Sequence, residues 1–190
     1  MIKSILLAMG LAASVNASAL TMNEVVSVAN QAIFSGTVEA QGFDFKVGDK
    51  ADYKLNMGGF IQGTMAMEVK AVAADEVTLA QSVAIMGQNQ NCEMVLNPNT
   101  GETKSLVCEG KAQEIPDQSG MEVVDMKEDK ITVPAGTFEC LYIKVKQTKD
   151  NSIVEQWANP KLIPVTGMIK SIMPSQLGKV TVELTAFKKN

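Results

Sequence analysis

Hydrophobic and polar residues alternate with a period of two along most of the chain after Asp49. Phe138–Lys146 shows the pattern most clearly, because Leu141, Ile143 and Val145 fall on one face and Phe, Cys, Tyr and Lys residues on the other. Such alternation is typical of a β-strand with one buried face. Since no βαβ pattern interrupts it, the sequence predicts a mainly β protein with an antiparallel sheet of about eight or nine strands.

Two hairpins are the best-defined elements of this sheet. The first joins Phe60–Ala74 to Val77–Met86 through a tight connection. The second joins Asn91–Leu96 to Glu102–Val107 around a Pro- and Gly-containing turn at 97–101. The residues predicted on the buried face of the first hairpin are Ile61, Met65, Met67, Val69, Ala71, Val77, Leu79, Val83 and Ile85.

The stretch from Ile131 to Lys146 predicts a short strand, a Pro134-Ala135-Gly136 corner and a longer strand. Pro134 cannot donate to a strand ladder, so it ends the first strand or lies on an edge. The neighbouring segments have weaker patterns. We expect a loop at Glu109–Gly120, a strand at Met121–Met126, a charged turn at Lys127–Lys130, strands at Ala51–Asn56, Ser152–Ala158 and Val180–Phe187, an irregular region at Asn159–Thr166, and either a strand or a short helix at Met168–Met173.

The N-terminal segment Met1–Ala19 has the features of a secretory signal peptide. Lys3 precedes an apolar run that is too short to span a bilayer, and small residues at Ala17 and Ala19 predict cleavage before Leu20. The rest, 20–190, is expected to be a single β-rich domain that begins with a short helix at Thr21–Phe34. No later stretch predicts a transmembrane helix. The predicted location is therefore the periplasm or the extracellular space.

Composition excludes several kinds of chemistry. The chain contains no His, and all 17 of its basic residues are Lys. A His general base and His-containing metal sites are therefore ruled out, as is Arg-based recognition of phosphates or nucleic-acid bases. The formal charge of −4, or −5 after removal of Lys3, also disfavours nucleic acid as a partner.

Three cysteines remain to be explained in an oxidising compartment. Cys92 and Cys108 flank the 97–101 turn almost symmetrically, so we predict that they form a disulfide across the second hairpin. Cys140 is then a free thiol. It is interpreted either as a small buried hydrophobe or as a reactive or intermolecular thiol, whose thiolate Lys144 and Lys146 on the same face would favour.

No motif predicts a catalytic site, a metal site or a cofactor. Met65 and Met67 lie on one face of a strand, but core packing explains two thioethers better than a copper site without His. The acidic residues around Asp125 alternate with lysines and are interpreted as a solvated charge cluster. The sequence therefore predicts no metal and no enzymatic activity.

Methionine is abundant, and it lines adaptable binding surfaces as well as protein cores. Strands with apolar residues on both faces must be covered by another layer or must surround a ligand. We therefore predict a hydrophobic ligand as one class of partner. The residues predicted to line its site are Met65, Met67, Met86, Ile143 and Trp157.

The chain resembles a group of exported bacterial proteins of unknown function. The resemblance rests on Val133-Pro134-Ala135-Gly136-Thr137-Phe138, the strand that follows, the segment Glu155–Pro160, and Val47-Gly48-Asp49 with Tyr53 upstream. The segment Leu162–Gly167 departs from the group's pattern. The resemblance implies a strongly curved antiparallel sheet, a half-barrel or open barrel similar to those that carry lipids and lipoproteins across periplasms. It brings no catalytic residues.

Two functional hypotheses follow. In the first, the concave face of the sheet binds a lipid or an acylated segment in the cell envelope. In the second, an exposed sheet edge pairs with an envelope protein and no small ligand is bound. A thiol enzyme based on Cys140 is the weakest alternative, because the sequence offers no His base.

Overall fold

The computed structural model describes residues 44–115, 121–148, 150–175 and 178–190. The predicted signal peptide Met1–Ala19 and the predicted helix Thr21–Phe34 lie outside the described residues. No helix occurs in the described part of the chain.

The described residues form one open antiparallel sheet of eleven strands, which confirms the predicted fold class and exceeds the predicted number of strands. The ambiguous segment at Met168–Met173 is a strand, and a two-residue strand lies within the segment predicted as a loop. The strands are β1 (Lys50–Met57), β2 (Ile61–Val72), β3 (Val77–Ile85), β4 (Gln88–Leu96), β5 (Thr103–Cys108), β6 (Lys111–Ala112), β7 (Met121–Val133), β8 (Gly136–Gln147), β9 (Ile153–Ala158), β10 (Met168–Ser175) and β11 (Gly178–Lys188).

The first and last strands of the described chain lie side by side in the interior of the sheet. Strand β1 pairs with both β2 and β11, so the order is β6-β5-β4-β3-β2-β1-β11-β10-β9-β8-β7. Every other neighbouring pair is consecutive in the sequence and is joined by a short connection. The two edge strands of the described sheet are therefore β6 and β7.

Both predicted hairpins are present. In the second, Cys92 pairs directly with Cys108 and the two are joined by a disulfide, as predicted. In the first, the apolar residues from Met65 to Val69 are buried, but the register shifts between Val69 and Ala71. This irregularity leaves Ala71 exposed, which corrects its predicted place on the buried face.

The predicted charged turn at Lys127–Lys130 is wrong, because these residues lie in the middle of β7. They pair in unbroken register with Tyr142, Leu141, Cys140 and Glu139 of β8. An edge strand exposed on both faces does not need apolar alternation, so a run of charges is compatible with it.

The sheet curls strongly at the β7–β8 hairpin. Four strand spacings separate β7 from β11, which is about 19 Å in a flat sheet. Nevertheless, the Ala135 N–H in the β7–β8 turn donates a hydrogen bond to the Leu184 carbonyl of β11 at 3.1 Å. Leu184 lies just beyond Glu183, where the pairing of β11 with β10 ends. The turn therefore occupies the edge that β10 leaves free.

We call the contact between this turn and β11 the clasp, formed by Ala135 and Phe138 against Leu184 and Phe187. Gly136 has a φ of 139°, a value that favours glycine. The rings of Phe138 and Phe187 meet edge-on with their centroids 6.1 Å apart. The Val-Pro-Ala-Gly-Thr-Phe stretch thus has a structural role in closing one end of the curved sheet.

Candidate ligand-binding face

The inner face of the curled sheet is lined mainly by aliphatic and methionine side chains. Met65, Met67, Leu79 and Leu184 are at most 1% exposed. The strand registers place Met65 beside Tyr53 and Val83, and so continue this face from one strand to the next. These side chains belong to one buried apolar core that extends over most of the sheet.

The buried polar side chains on this face are all neutral. They are Gln81, Gln90, Thr103, Gln156 and Ser171. Gln81 donates from Nε2 to the Met65 Sδ at 3.1 Å. Ser171 is fully buried, and its Oγ has no hydrogen-bond partner within the described part of the chain. A few neutral polar groups in an apolar surface are typical of sites that orient a mainly hydrophobic ligand.

Asp49 is the one charged residue among the buried residues that the structure describes. It lies just before β1, and its carboxylate accepts hydrogen bonds from the backbone N–H groups of Lys46, at 3.1 Å, and Asn190, at 2.8 Å. The Asp49 carboxylate therefore links the backbone at Lys46 to the backbone at Asn190, next to the start of β1.

Tyr53 ties the β9–β10 loop to this face. Its hydroxyl lies 3.0 Å from Thr166 Oγ1 and donates to the Met168 carbonyl at 3.2 Å. Burial raises the pKa of Tyr53 strongly, so the phenol stays protonated. Ile163 and Val165 of the same loop are buried in the core, and the loop therefore covers one end of the apolar face.

The apolar face continues to an exposed margin at the β7 edge. Buried Ile143 and Val145 of β8 pair with Met126 and Val123 of β7. Met126 is 60% exposed and Val123 is 58% exposed. The apolar side chains of β7 are therefore exposed where those of the neighbouring strand β8 are buried.

The structure brings three of the five predicted lining residues onto this face. Met65, Met67 and Ile143 are buried there, and each is at most 2% exposed. Met86 does not belong to the lining. It lies in the turn between β3 and β4, has a φ of 50° and is 76% exposed, because β3 ends at Ile85.

Trp157 also lies outside the lining, because it points to the opposite face of β9 from Gln156. There it belongs to a row of directly paired side chains that we call the outer ladder. The outer ladder consists of Lys54, Glu183, Lys170, Trp157, Tyr142 and Lys127, one from each of six neighbouring strands.

Trp157 is held in the outer ladder on several sides. Its ring centroid is 5.1 Å from that of Tyr142, and Lys170 Nζ lies 5.8 Å from it. Its Nε1–H donates to Asp129 Oδ2 at 2.8 Å, and this hydrogen bond lowers the pKa of Asp129. These contacts explain Trp157 as a residue that connects β7, β8, β9 and β10.

Cys140 is unpaired and buried. Its Sγ lies 3.5 Å from the Asp129 carbonyl, and burial together with the nearby Asp129 carboxylate raises the pKa of the thiol. Both effects disfavour the reactive thiolate. The predicted activation by Lys144 and Lys146 is opposed by these surroundings.

A surface pocket of about 800 Å³ lies beside Cys140, where the middle of β7 and the first half of β8 meet the end of β9 and the loop that follows it. Glu128, Asp129, Lys130 and Glu139 contribute side chains of both charges to its lining, next to Leu141 and Ala158. Its charged, open character differs from that of the inner face. No group of three potential metal-ligating His, Cys, Asp or Glu side chains occurs in the described ranges.

Comparison with protein-family models and with curated proteins found no match. Comparison with solved structures found several of similar outline. A candidate exported protein with a YmcC-like fold from Bacteroides fragilis has a TM-score of 0.48 and 14% identity, over 78% of this chain and 99% of that chain.

A candidate lipoprotein from Parabacteroides distasonis has a TM-score of 0.42 and 13% identity, over 77% of this chain and 97% of that chain. A hypothetical protein from Chlamydia trachomatis has a TM-score of 0.46 and 9% identity, over 75% of this chain and 87% of that chain. At these scores the likenesses identify no function for this chain. In the described residues, no helix has the length and apolar character needed to cross a membrane.

Proposed function

We propose that this is an exported, non-enzymatic protein that binds a hydrophobic ligand, a lipid or an acylated segment, in the cell envelope. The observation that carries the proposal is the inner face, whose buried side chains are apolar or neutral and which reaches the exposed margin at Val123 and Met126. Transfer of the apolar part of a ligand from water to such a face is favourable. It carries no desolvation cost for a buried charge, because that part of the ligand has none.

Two features support a location outside the cytoplasm, in the cell envelope. Met1–Ala19 has the pattern of a signal peptide, and the Cys92–Cys108 disulfide is of the kind that persists in oxidising compartments such as the periplasm. The absence of His and the raised pKa of Cys140 support a binding role over catalysis.

The proposal is tested with a fluorescent apolar probe, N-phenylnaphthylamine, titrated into the purified protein. Met126→Glu places a carboxylate on the inner-face register of β7 and is expected to weaken probe binding by about tenfold or more. Lys127→Glu places the same group on the outer register of the same strand and should leave binding within about twofold. Equal effects of the two changes, or no probe binding by the wild type, would contradict the proposal.

A second function is favoured by β7 itself. This edge strand has thirteen residues, most of them exposed, and its only strand partner among the described residues is β8. Such an edge can accept an extended segment of an envelope protein as a further strand.

Val124→Pro tests this alternative. Val124 lies at the register shift between Val123 and Asp125, where proline is tolerated best, and the change removes an N–H from the edge strand. If β7 recruits a partner, proteins captured from an envelope extract by the wild type are lost with this variant while its melting temperature is retained. Unchanged capture would exclude the β7 edge as the binding surface.

A further inference from the structure

Two apolar side chains project from neighbouring turns at one end of the sheet. Phe60, in the β1–β2 turn, is 70% exposed, and Met86, in the β3–β4 turn, is 76% exposed. Because Gly63 of β2 pairs with Ile85 of β3, the two turns lie side by side. We call these two turns the apolar rim.

The turns of the apolar rim have defined backbone structure. In the first, the Gly59 N–H donates to Asn56 Oδ1 at 3.0 Å, and the Gly58 N–H donates to the Lys179 carbonyl at 2.9 Å. In the second, Met86 and Gly87 both have positive φ values, 50° and 78°. Positive φ is uncommon for methionine, and turn tips usually carry polar residues, so the exposed Met86 calls for a specific explanation.

The apolar rim lies in two stretches of sequence that carry no charge. No charged residue occurs in 55–67, between Lys54 and Glu68, or in 77–92, between Glu76 and Glu93, although 20% of the chain is charged. Exposed Lys179, whose backbone carbonyl accepts a hydrogen bond from the first turn, flanks the apolar rim on one side. Beyond the second turn, Glu109 and Lys111 share a surface pocket with Gln88 and Asn89. Neutral apolar tips beside a cation suit a phospholipid surface, where a charge at the tip would be costly to desolvate and a flanking lysine can meet lipid phosphates.

The size of the apolar rim also argues for a membrane over a protein partner. A stable protein interface buries roughly 800 Å² on each partner, more than two projecting side chains provide. A bilayer needs no complementary surface, and shallow insertion of a few apolar groups gives a reversible contact.

We propose that the apolar rim is a membrane-contact surface that inserts Phe60 and Met86 between the headgroups of a phospholipid bilayer. Buried Met57 and Ile85 lie directly behind these tips and continue onto the inner face. The contact itself does not require the ligand-binding role proposed above, because the tips are exposed whether or not the inner face is occupied.

The test is flotation of the full-length mature protein with vesicles of phosphatidylcholine and phosphatidylglycerol in a ratio of about 4:1. The double variant Phe60→Ser/Met86→Ser is expected to reduce the vesicle-bound fraction relative to the free fraction by about tenfold or more. The matched control is Val47→Ser/Leu162→Ser, which removes two exposed apolar side chains at the opposite end of the sheet. It should float like the wild type.

Wild-type protein that fails to float, or equal loss in the control variant, would overturn the proposal. Sedimentation velocity tests whether a second copy of the chain covers the apolar rim instead of a membrane. Self-association that disappears in Phe60→Ser/Met86→Ser would assign the apolar rim to a dimer. Probe binding to the inner face is measured separately, so failure of the membrane contact and failure of the ligand-binding proposal give different results.

Discussion

Glu183 is the most strongly paired charge on the outer face of the sheet. It lies directly between Lys54 of β1 and Lys170 of β10, with N–O distances of 2.7 and 2.8 Å. Partial burial alone would raise the pKa of this carboxyl, but the hydrogen bonds and charges of Lys170 and Lys54 outweigh it and the pKa is lowered. The charged form of Glu183 therefore stabilises the junction of β1, β11 and β10.

We expect Glu183→Gln to lower the free energy of unfolding by about 1–2 kcal/mol at pH 7. Because the pKa of Glu183 is lower in the folded than in the unfolded state, this contribution is present above the ordinary carboxyl value of 4.5 and is lost as the pH falls through the folded-state value. Urea unfolding of the wild type and the variant at pH 7 and pH 3 should therefore give curves that converge at the lower pH. A difference that stays constant with pH would refute the assignment, and exposed Glu93→Gln is the control.

At the level of single residues, the sequence predicted burial where alternation was regular and failed where a turn or a second face intervened. Met65, Met67 and Ile143 follow regular strand alternation and are buried on the inner face. Met86 is apolar and follows a strand, but β3 ends one residue earlier. Trp157 was predicted as a ligand contact. The face of β9 on which it lies depends on the register of β9 with β8 and β10. This register is not a local property of the sequence.

The clasp is the contact that joins the β7–β8 turn to β11 across the curl of the sheet. Its contacts join residues that are far apart in sequence, Ala135 with Leu184 and Phe138 with Phe187. The sequence predicted the Pro134-Ala135-Gly136 corner, and the family resemblance implied a curved sheet. Neither could show that this corner meets β11, because such a contact depends on the accumulated twist and curl of the intervening strands.

A double-mutant cycle on Phe138→Ala and Phe187→Ala tests the clasp. Each single change is expected to destabilise the protein by about 1–3 kcal/mol, less than for fully buried rings, because both side chains are only partly buried. The interaction between them should be about 0.5–1.5 kcal/mol, as for other aromatic pairs. Thermal or urea unfolding measures these values. Strictly additive effects of the two changes would mean that the rings do not interact across the curl.

Strand β7 shows why edge elements are difficult to predict. Its charges at Lys127–Lys130 have the composition of a turn, but the strand is exposed on both faces over most of its length. In such a strand, pairing with β8 supplies the order and side-chain burial adds little, so the usual periodicity is absent. Charged residues on an edge also discourage unwanted pairing, which is consistent with recruitment of at most a selected partner.

At the scale of the whole molecule, the sheet separates two kinds of surface. The outer face carries the outer ladder of charged and aromatic side chains, while the inner face is apolar with a few neutral polar groups. The inner face reaches solvent at the β7 margin and approaches it at the apolar rim. The sequence predicted the antiparallel class and the presence of apolar strands, but the positions of the β7 margin and the apolar rim follow from strand order and register, which the sequence alone did not reveal.

The central claim is that the inner face binds a hydrophobic ligand, and native mass spectrometry of the protein purified from its own cell envelope tests it most directly. We expect the wild type to carry additional mass that is released on denaturation and recovered as lipid in an organic extract, and Met126→Glu to carry clearly less of it. A wild-type spectrum with the mass of the polypeptide alone, together with an extract free of lipid, would contradict the claim.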